Sequence, residues 1–433
     1  MSSNNFRITE HIVPGCHIRE YAGSTAGRQE DVLQLHVKQY TPLERPEPLS
    51  PEAVTIIAAH GVGLAKELYE PLWDEILQRA EGNNFQIRSI WVAEAANMGG
   101  SAILNEDKLS TDFSWMDHPR DLLLMINHFR DEMLRPLVGL GHSFGGNIIT
   151  NLAFLHPRLF TTLILLDPVI QLNPPPMGFG SDPPSAINFT LYRQDVWPNR
   201  QAATAAYRKM FPKMDPRCVD RMEKFGFRDL PTALYPEPVE ESDPANPPVT
   251  LTTSKYQDMI AQIRENFSAR TPDGRIQIDR STHADMDPIA AFIPMYRPEP
   301  RATFFRLPTL RPSVIWVLGE RSYLRLDEIR EGIKVCGHGI GGSGGDSQGK
   351  VKEAVIPKGS HLFPFENVAE AAEISSAWLG QEVQSFVVAE KEWAEKRQAM
   401  NKREHLVLGE DWFKTIKPLS AFRSAKKPGK ERL

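Results

Sequence analysis

Gly141-His142-Ser143-Phe144-Gly145, with Gly146 directly behind it, is the stretch on which the reading of this chain turns. An apolar run, Pro136-Leu137-Val138-Gly139-Leu140, leads into it, and Asn147-Ile148-Ile149-Thr150-Asn151-Leu152-Ala153-Phe154-Leu155 follows with helical spacing. A strand, a tight Gly-x-Ser-x-Gly turn and a helix in that order define a nucleophile elbow. The serine sits in a strained turn at the C-terminal end of its strand, where side chains two residues away on either side would collide. Glycine at both flanks removes the collision and tolerates the backbone angles. The pentapeptide alone arises by chance in many proteins; the strand before it and the helix after it make it specific.

Outward from the elbow, apolar runs alternate with amphipathic stretches, which predicts an α/β fold with a mostly parallel sheet and helices on both faces. Leu33 to Tyr40 alternates as a half-exposed strand, and Val54 to Ala59 is a buried one ending at His60-Gly61-Val62-Gly63. Leu68 to Leu77 reads as a helix, Ile87 to Val92 as a strand and Asp121 to Met133 as a helix. Thr161 to Leu166 is the next strand and runs straight into Asp167-Pro168. From Val169 to Thr309 prolines cluster (174–176, 183–184, 236, 238, 247–248), helices are expected near Gln201 to Met210 and Lys255 to Glu265, and no alternating strand pattern is visible. Such a block between two sheet strands is expected to be a cap. The sheet resumes at Val314 to Leu318 and Val351 to Ile356, and Ala369 onward is helical as far as Arg403, before a basic tail from Lys417. The expected divisions are residues 1–168 and 310–385 for the hydrolase core, 169–309 for the cap insertion, and 386–433 for the C-terminal helix and tail.

Bulk properties narrow the function classes. A chain of 433 residues can bury a large core, and 41% hydrophobic with 24% charged residues is ordinary for a globular protein. A net charge of -5 argues against nucleic-acid binding. The three cysteines, Cys16, Cys218 and Cys336, lie far apart, which is neither a disulfide framework nor a zinc site and suits a reducing compartment. Met1 to Glu10 is polar and lacks the plan of a secretory signal. No run approaches the roughly 18 apolar residues of a membrane span, so an intracellular protein without stable membrane insertion is expected.

A serine hydroxyl is a poor nucleophile at neutral pH and needs a base, an orienting acid and oxyanion donors. With an elbow of this kind the chain order is nucleophile, acid, histidine. Of the twelve histidines, His361 in Lys358-Gly359-Ser360-His361-Leu362-Phe363 lies just past the last strand and is the expected base. His283, in Thr282-His283-Ala284-Asp285-Met286-Asp287, is the main rival and fits a polar cap loop; no further His or Cys completes a metal site there. His338 lies in a glycine-rich loop. Two acids compete: Asp167 ends the strand after the elbow strand, and Glu320 ends the one after that. The usual place for the acid favours Glu320, while Pro168 makes the turn at Asp167 rigid; the residues leave both open. The oxyanion donors are expected to be the N–H groups of Phe144 and Val62, with His60 bracing the latter's loop. Gly337 to Lys350 imitates a phosphate loop, but Val351 stands where Ser or Thr is needed and the loop precedes a strand, so a connector is expected. Tyr69, Trp73, Trp91, Trp115 and Trp316 read as core aromatics.

Three stretches, Gly61-Val62-Gly63-Leu64-Ala65-Lys66-Glu67-Leu68-Tyr69-Glu70-Pro71-Leu72-Trp73, Gly141 to Leu152 and His283-Ala284-Asp285-Met286-Asp287-Pro288, resemble the fungal peroxisomal acyl-CoA hydrolases of mycophenolic acid biosynthesis. These belong to a group of fungal α/β-hydrolases that also includes toxin-pathway members. The likeness covers nearly the full length, including Arg330 to Gly345. It implies an α/β-hydrolase fold and a type I acyl-CoA thioesterase that needs no cofactor or metal and releases free acid and CoA, mycophenolyl-CoA being the expected substrate. It also favours Asp167 as the acid, with Glu320 as backup, and a homodimer using the long C-terminal helix. A peroxisomal address wants a small residue, a basic residue and leucine. In Glu431-Arg432-Leu433 the last two fit and Glu431 does not, while Lys426-Lys427-Pro428-Gly429-Lys430 supplies a basic lead-in. A peroxisomal import receptor is therefore an expected partner, with a cytoplasmic location as the alternative. A carboxylester hydrolase or lipase, and an inactive scaffold of the same fold, are the competing functions.

Overall fold

The apolar runs become one eight-stranded sheet: β1 (Phe6–Pro14), β2 (Gln34–Pro42), β3 (Val54–Ala59), β4 (Ile87–Ala93), β5 (Leu137–His142), β6 (Thr162–Leu166), β7 (Ser313–Gly319) and β8 (Val351–Ile356). The computed structural model describes residues 2–173, 186–237, 243–267, 270–279, 281–286 and 293–417. The prolines at 174–176, 183–184 and 238, the Asp287-Pro288 step and the terminal tripeptide lie outside these residues. The chain forms two units, Met1–Gln384 and Ser385–Leu433.

Strand order is β1-β2-β4-β3-β5-β6-β7-β8. The β1–β2 and β2–β4 pairings are antiparallel and all later ones parallel. β3, β5, β6 and β7 are buried at every position, as parallel strands covered on both faces must be. β1 and β8 close the two edges and mix buried with exposed positions. β1 is an addition to the sequence reading, which assigned no strand there. The covering helices include α1 (Glu70–Ala80), α2 (Asp117–His128), α3 (Phe144–Leu155), α4 (Leu326–Val335) and α5 (Val368–Gln398). Ile57, Trp91, Leu163 and Trp316 of the sheet share one buried cluster with Leu122 of α2, Ile148 and Leu152 of α3, and Ile329 of α4.

Register decides where the chemistry can gather. Ala59 pairs with Gly141, His142 with Leu166, and Gly319 with Ile356. The loop after β3, the elbow after β5, the turn after β6 and the loop after β8 therefore all leave the sheet at one carboxyl edge, the usual place for a site in such sheets.

Residues between β6 and β7 supply helices Ala186–Tyr192, Arg200–Met210, Pro216–Phe225, Lys255–Gln262 and Glu299–Arg306. They also form short strands that the sequence reading lacked. Val196–Trp197, Val249–Leu251 and Phe227–Asp229 make a small antiparallel sheet, and Arg264–Glu265 pairs with Met295–Tyr296. Segments of two or three residues are too short for alternation to be visible. This region docks on the core through Trp115 Nε1, which donates to the Ala261 carbonyl (2.6 Å), and Gly99 N–H, which donates to Thr253 Oγ1 (2.8 Å). All three cysteines are free and buried. Among the described residues no helix is long and apolar enough to cross a membrane.

One buried acid makes stability pH-dependent. Burial, reinforced by the nearby Asp121 carboxylate and opposed by Arg19, pushes the Asp117 carboxyl from 3.8 up to about 7. Its Oδ1 accepts from Glu20 N–H (3.0 Å), whereas Oδ2 has no hydrogen-bond partner among the described residues. Between about pH 4 and pH 7 the folded state keeps a proton that the unfolded chain has lost, so stability falls as pH rises through that window. Asp117→Asn is expected to flatten the decline by roughly 2–4 kcal/mol. Urea midpoints of the two proteins at pH 5 and pH 8 measure it; parallel curves would show that Asp117 ionises normally.

Candidate active site

Ser143 occupies a left-handed conformation at the end of β5, φ 56° and ψ −118°, directly before α3. The flanking glycines are required by contact. A Cβ on Gly141 would lie 2.2 Å from the Gly145 carbonyl oxygen, and one on Gly145 would lie 2.1 Å from that of Ala59. The second contact also places the start of α3 hard against the end of β3. Ser143 N–H extends the sheet by donating to the Leu166 carbonyl (2.9 Å).

His361 lies in the loop after β8, and residues just past β7 pin that loop. Arg321 N–H donates to the Gly359 carbonyl (2.8 Å), and Glu320 Oε2 accepts from Lys358 N–H (2.6 Å). The imidazole is held between two partners: Nε2 is 2.9 Å from Ser143 Oγ and Nδ1 is 2.6 Å from Asp167 Oδ2. A carboxylate can only accept, so Nδ1 carries the hydrogen and the Nε2 lone pair faces the serine hydroxyl. All three side chains are buried, Asp167 completely.

Asp167 also has a positive φ, 44°, and its N–H donates to the Val317 carbonyl (2.8 Å), adding one rung to the β6–β7 ladder. Its Oδ1 accepts from Gly319 N–H (3.2 Å), and Oδ2 accepts from the Ser322 hydroxyl as well as from His361. The structure thus brings Asp167 to the histidine and turns Glu320 to Lys358 N–H. Ser322 had no signal in the sequence, because its role depends on a turn that carries it back over β6. Losing a hydrogen bond to a charged group costs roughly 1.5 kcal/mol, so Ser322→Ala should lower kcat about tenfold with little change in KM. Unchanged kcat would mean Asp167 is oriented without it.

The two expected oxyanion donors are the N–H groups of Phe144, directly after the serine, and of Val62. Phe144 opens α3, and Val62 lies in the loop after β3. Among the described residues no protein group accepts either N–H. His60 braces that loop: its Nδ1–H donates to the Gly61 carbonyl (2.8 Å), and its Nε2 accepts from Ala95 N–H (3.1 Å). Burial holds its imidazole below the usual range.

The rival histidines are engaged elsewhere. His283 contacts Thr282 Oγ1 (2.7 Å) and the Glu265 carbonyl (3.0 Å), and His338 pairs with Asp346 (2.7 Å). Among the described residues no cluster of His, Cys, Asp and Glu has metal-binding form. Beside the Val62 loop a cavity of about 70 Å³ is lined by Gly63, Leu64, Trp197, Tyr207, Phe211 and Leu251, among others. Arg193, also on its wall, pairs with Asp258 (2.8 Å).

Sheet order, elbow and histidine loop are those of one superfamily, and the model of the alpha/beta hydrolase family matches residues 56–374. The chain belongs to the α/β-hydrolase family. It is 60% identical over 432 residues, 98% of either chain, to the type I acyl-CoA thioesterase mpaH' of Penicillium brevicompactum. The thioesterase mpaH of Penicillium roqueforti is 60% identical over the same share. The abhydrolase domain-containing protein AFT2-1 of Alternaria alternata is 26% identical over 57% of this chain and 84% of its own length. Among solved structures, the peroxisomal α/β-hydrolase Lpx1 of Saccharomyces cerevisiae superimposes with a TM-score of 0.63 at 19% identity, over 92% of this chain and 100% of that one.

Proposed function

We propose that this chain is a type I acyl-CoA thioesterase that splits an acyl-CoA into a free carboxylic acid and CoA, with mycophenolyl-CoA as its substrate. The observation that carries the hydrolytic part is the His361 imidazole held between Ser143 Oγ and Asp167 Oδ2, 2.9 and 2.6 Å away. The thioester part rests on 60% identity to enzymes of that name over 98% of the chain. The mycophenolyl group, a homodimer and a peroxisomal location follow the family resemblance.

Ser143 Oγ attacks the thioester carbonyl carbon while His361 Nε2 takes the hydroxyl proton. Asp167 keeps the Nδ1–H tautomer in place and stabilises the imidazolium. The Val62 and Phe144 N–H groups hold the oxyanion of the tetrahedral intermediate. Its collapse breaks the C–S bond, and CoA leaves with the proton from His361. Water then attacks the acyl-serine, giving its proton to His361, and the acid departs as Ser143 recovers the proton.

A triad acts on thioesters and oxygen esters alike, so the substrate class needs its own test. Rates on mycophenolyl-CoA, detected as free thiol, should exceed those on the matching methyl ester by at least about tenfold in kcat/KM. A reversed preference would make the chain a carboxylester hydrolase.

A further inference from the structure

His142, the residue before the nucleophile, is fully buried, and both its ring nitrogens are engaged. Nε2 lies 2.9 Å from the backbone carbonyl oxygen of His361, and Nδ1 lies 2.7 Å from the Tyr69 hydroxyl. That hydroxyl in turn accepts the N–H of Gly61 at 2.8 Å. The direction of every hydrogen follows. A carbonyl oxygen can only accept, so Nε2 carries the hydrogen. Burial, with the His361 ring adjacent, holds the His142 imidazole well below its usual range, so it is neutral and Nδ1 is an acceptor. Tyr69 therefore donates to Nδ1 and keeps a lone pair for Gly61 N–H.

The two ends of this chain of bonds lie at two groups on which the proposed chemistry depends. Gly61 directly precedes Val62, and His361 is the base. The packing around the chain is close: a Cβ on Gly61 would fall 2.9 Å from Leu64 Cδ1, 3.2 Å from His142 Nδ1 and 3.4 Å from the Tyr69 oxygen. The Phe365 ring meets both Tyr69 and His142 edge-on, with centroids 4.8 and 5.5 Å apart. The sequence reading of Tyr69 as a core aromatic is correct for its ring, which is 1% exposed, and omits its hydroxyl.

We propose that Tyr69 and His142 are positioning residues: one hydrogen-bond relay through them fixes the oxyanion loop and the catalytic histidine relative to each other and to Ser143. This rests on the proposed roles of Ser143, His361 and Val62. Both side chains are buried, so the relay acts on geometry, and a small displacement of a catalytic group is expensive.

Tyr69→Phe keeps the ring and removes only the hydroxyl. Active-site titration with a fluorophosphonate counts the folded, competent serines, so kcat per titrated site separates geometry from loss of folded protein. The expected result is kcat per site lowered about 10- to 100-fold with KM changed less than about twofold, and slower fluorophosphonate labelling in parallel. His142→Asn, whose shorter side chain cannot carry its NH₂ donor out to the Nε2 position facing the His361 carbonyl, should fall into the same range. The double variant should be within about threefold of the slower single, because both cut one chain. Wild-type kcat per site and labelling rate in Tyr69→Phe, or effects that multiply in the double variant, would overturn the relay. Failure of the wild-type protein to label at Ser143 would instead overturn the proposed mechanism itself, so the two failures are distinct.

Discussion

Ser143→Ala is expected to lower acyl-CoA hydrolysis by about 10⁶-fold in kcat, the scale seen when a serine nucleophile is removed from an intact triad. The remaining rate would come from water bound near His361 and from the oxyanion donors, which alone give about 10³–10⁴ over the uncatalysed reaction. Alanine accepts the same turn at no greater cost than serine does, since both carry a Cβ at φ 56°. The Gly141 and Gly145 contacts that shape the elbow are untouched. The melting temperature should therefore stay close to that of the parent, and binding of the substrate should survive. Thiol release from an acyl-CoA is the measurement; retention of even a tenth of the activity would remove Ser143 from the reaction.

Asp167→Asn should cost about 10⁴-fold in kcat, because the amide favours the wrong tautomer. In the parent, Oδ2 accepts from both His361 Nδ1–H and the Ser322 hydroxyl, and Oδ1 accepts from Gly319 N–H. Asparagine has one oxygen for these three donors. If its NH₂ group faces Nδ1, the imidazole proton moves to Nε2 and the lone pair that should receive the Ser143 proton is gone. Glu320→Gln is the matched control. Glu320 Oε2 accepts from Lys358 N–H, a bond that the glutamine oxygen can also make, so kcat should change by less than about threefold. A larger loss in Glu320→Gln than in Asp167→Asn would reverse the assignment of the acid.

The contest between these two carboxylates shows where a linear reading stops. Each follows an apolar strand of the sheet by one residue, and side-chain type does not separate them. What separates them is side-chain direction: each backbone N–H adds a rung to the sheet, Asp167 to Val317 and Glu320 to Ile356, but Asp167 stands in a left-handed turn with its carboxylate on His361, whereas the Glu320 carboxylate accepts from the backbone of the histidine loop. Ser322 and the Tyr69–His142 relay were hidden for the same reason. Their partners lie 155, 73 and 219 residues away in the chain, and a hydroxyl or a buried imidazole carries no periodicity that announces such a partner. β1 escaped because an edge strand buries few of its residues, and the short strands between β6 and β7 because two or three residues cannot show an alternation.

The sequence by itself determined whatever depends on near neighbours. That includes the Gly-x-Ser-x-Gly turn, marked by the apolar run before it and the helical run after it, and the buried parallel strands, whose apolar runs are continuous. It also includes the histidine placed just beyond the last of them. Only the tertiary structure decided which acid faces His361, which hydroxyls orient it, and how the oxyanion loop is tied to the base. Those are matters of strand register and side-chain direction, and a hydrogen bond specific to about an ångström is set by the packing of whole elements rather than by the residues that make it.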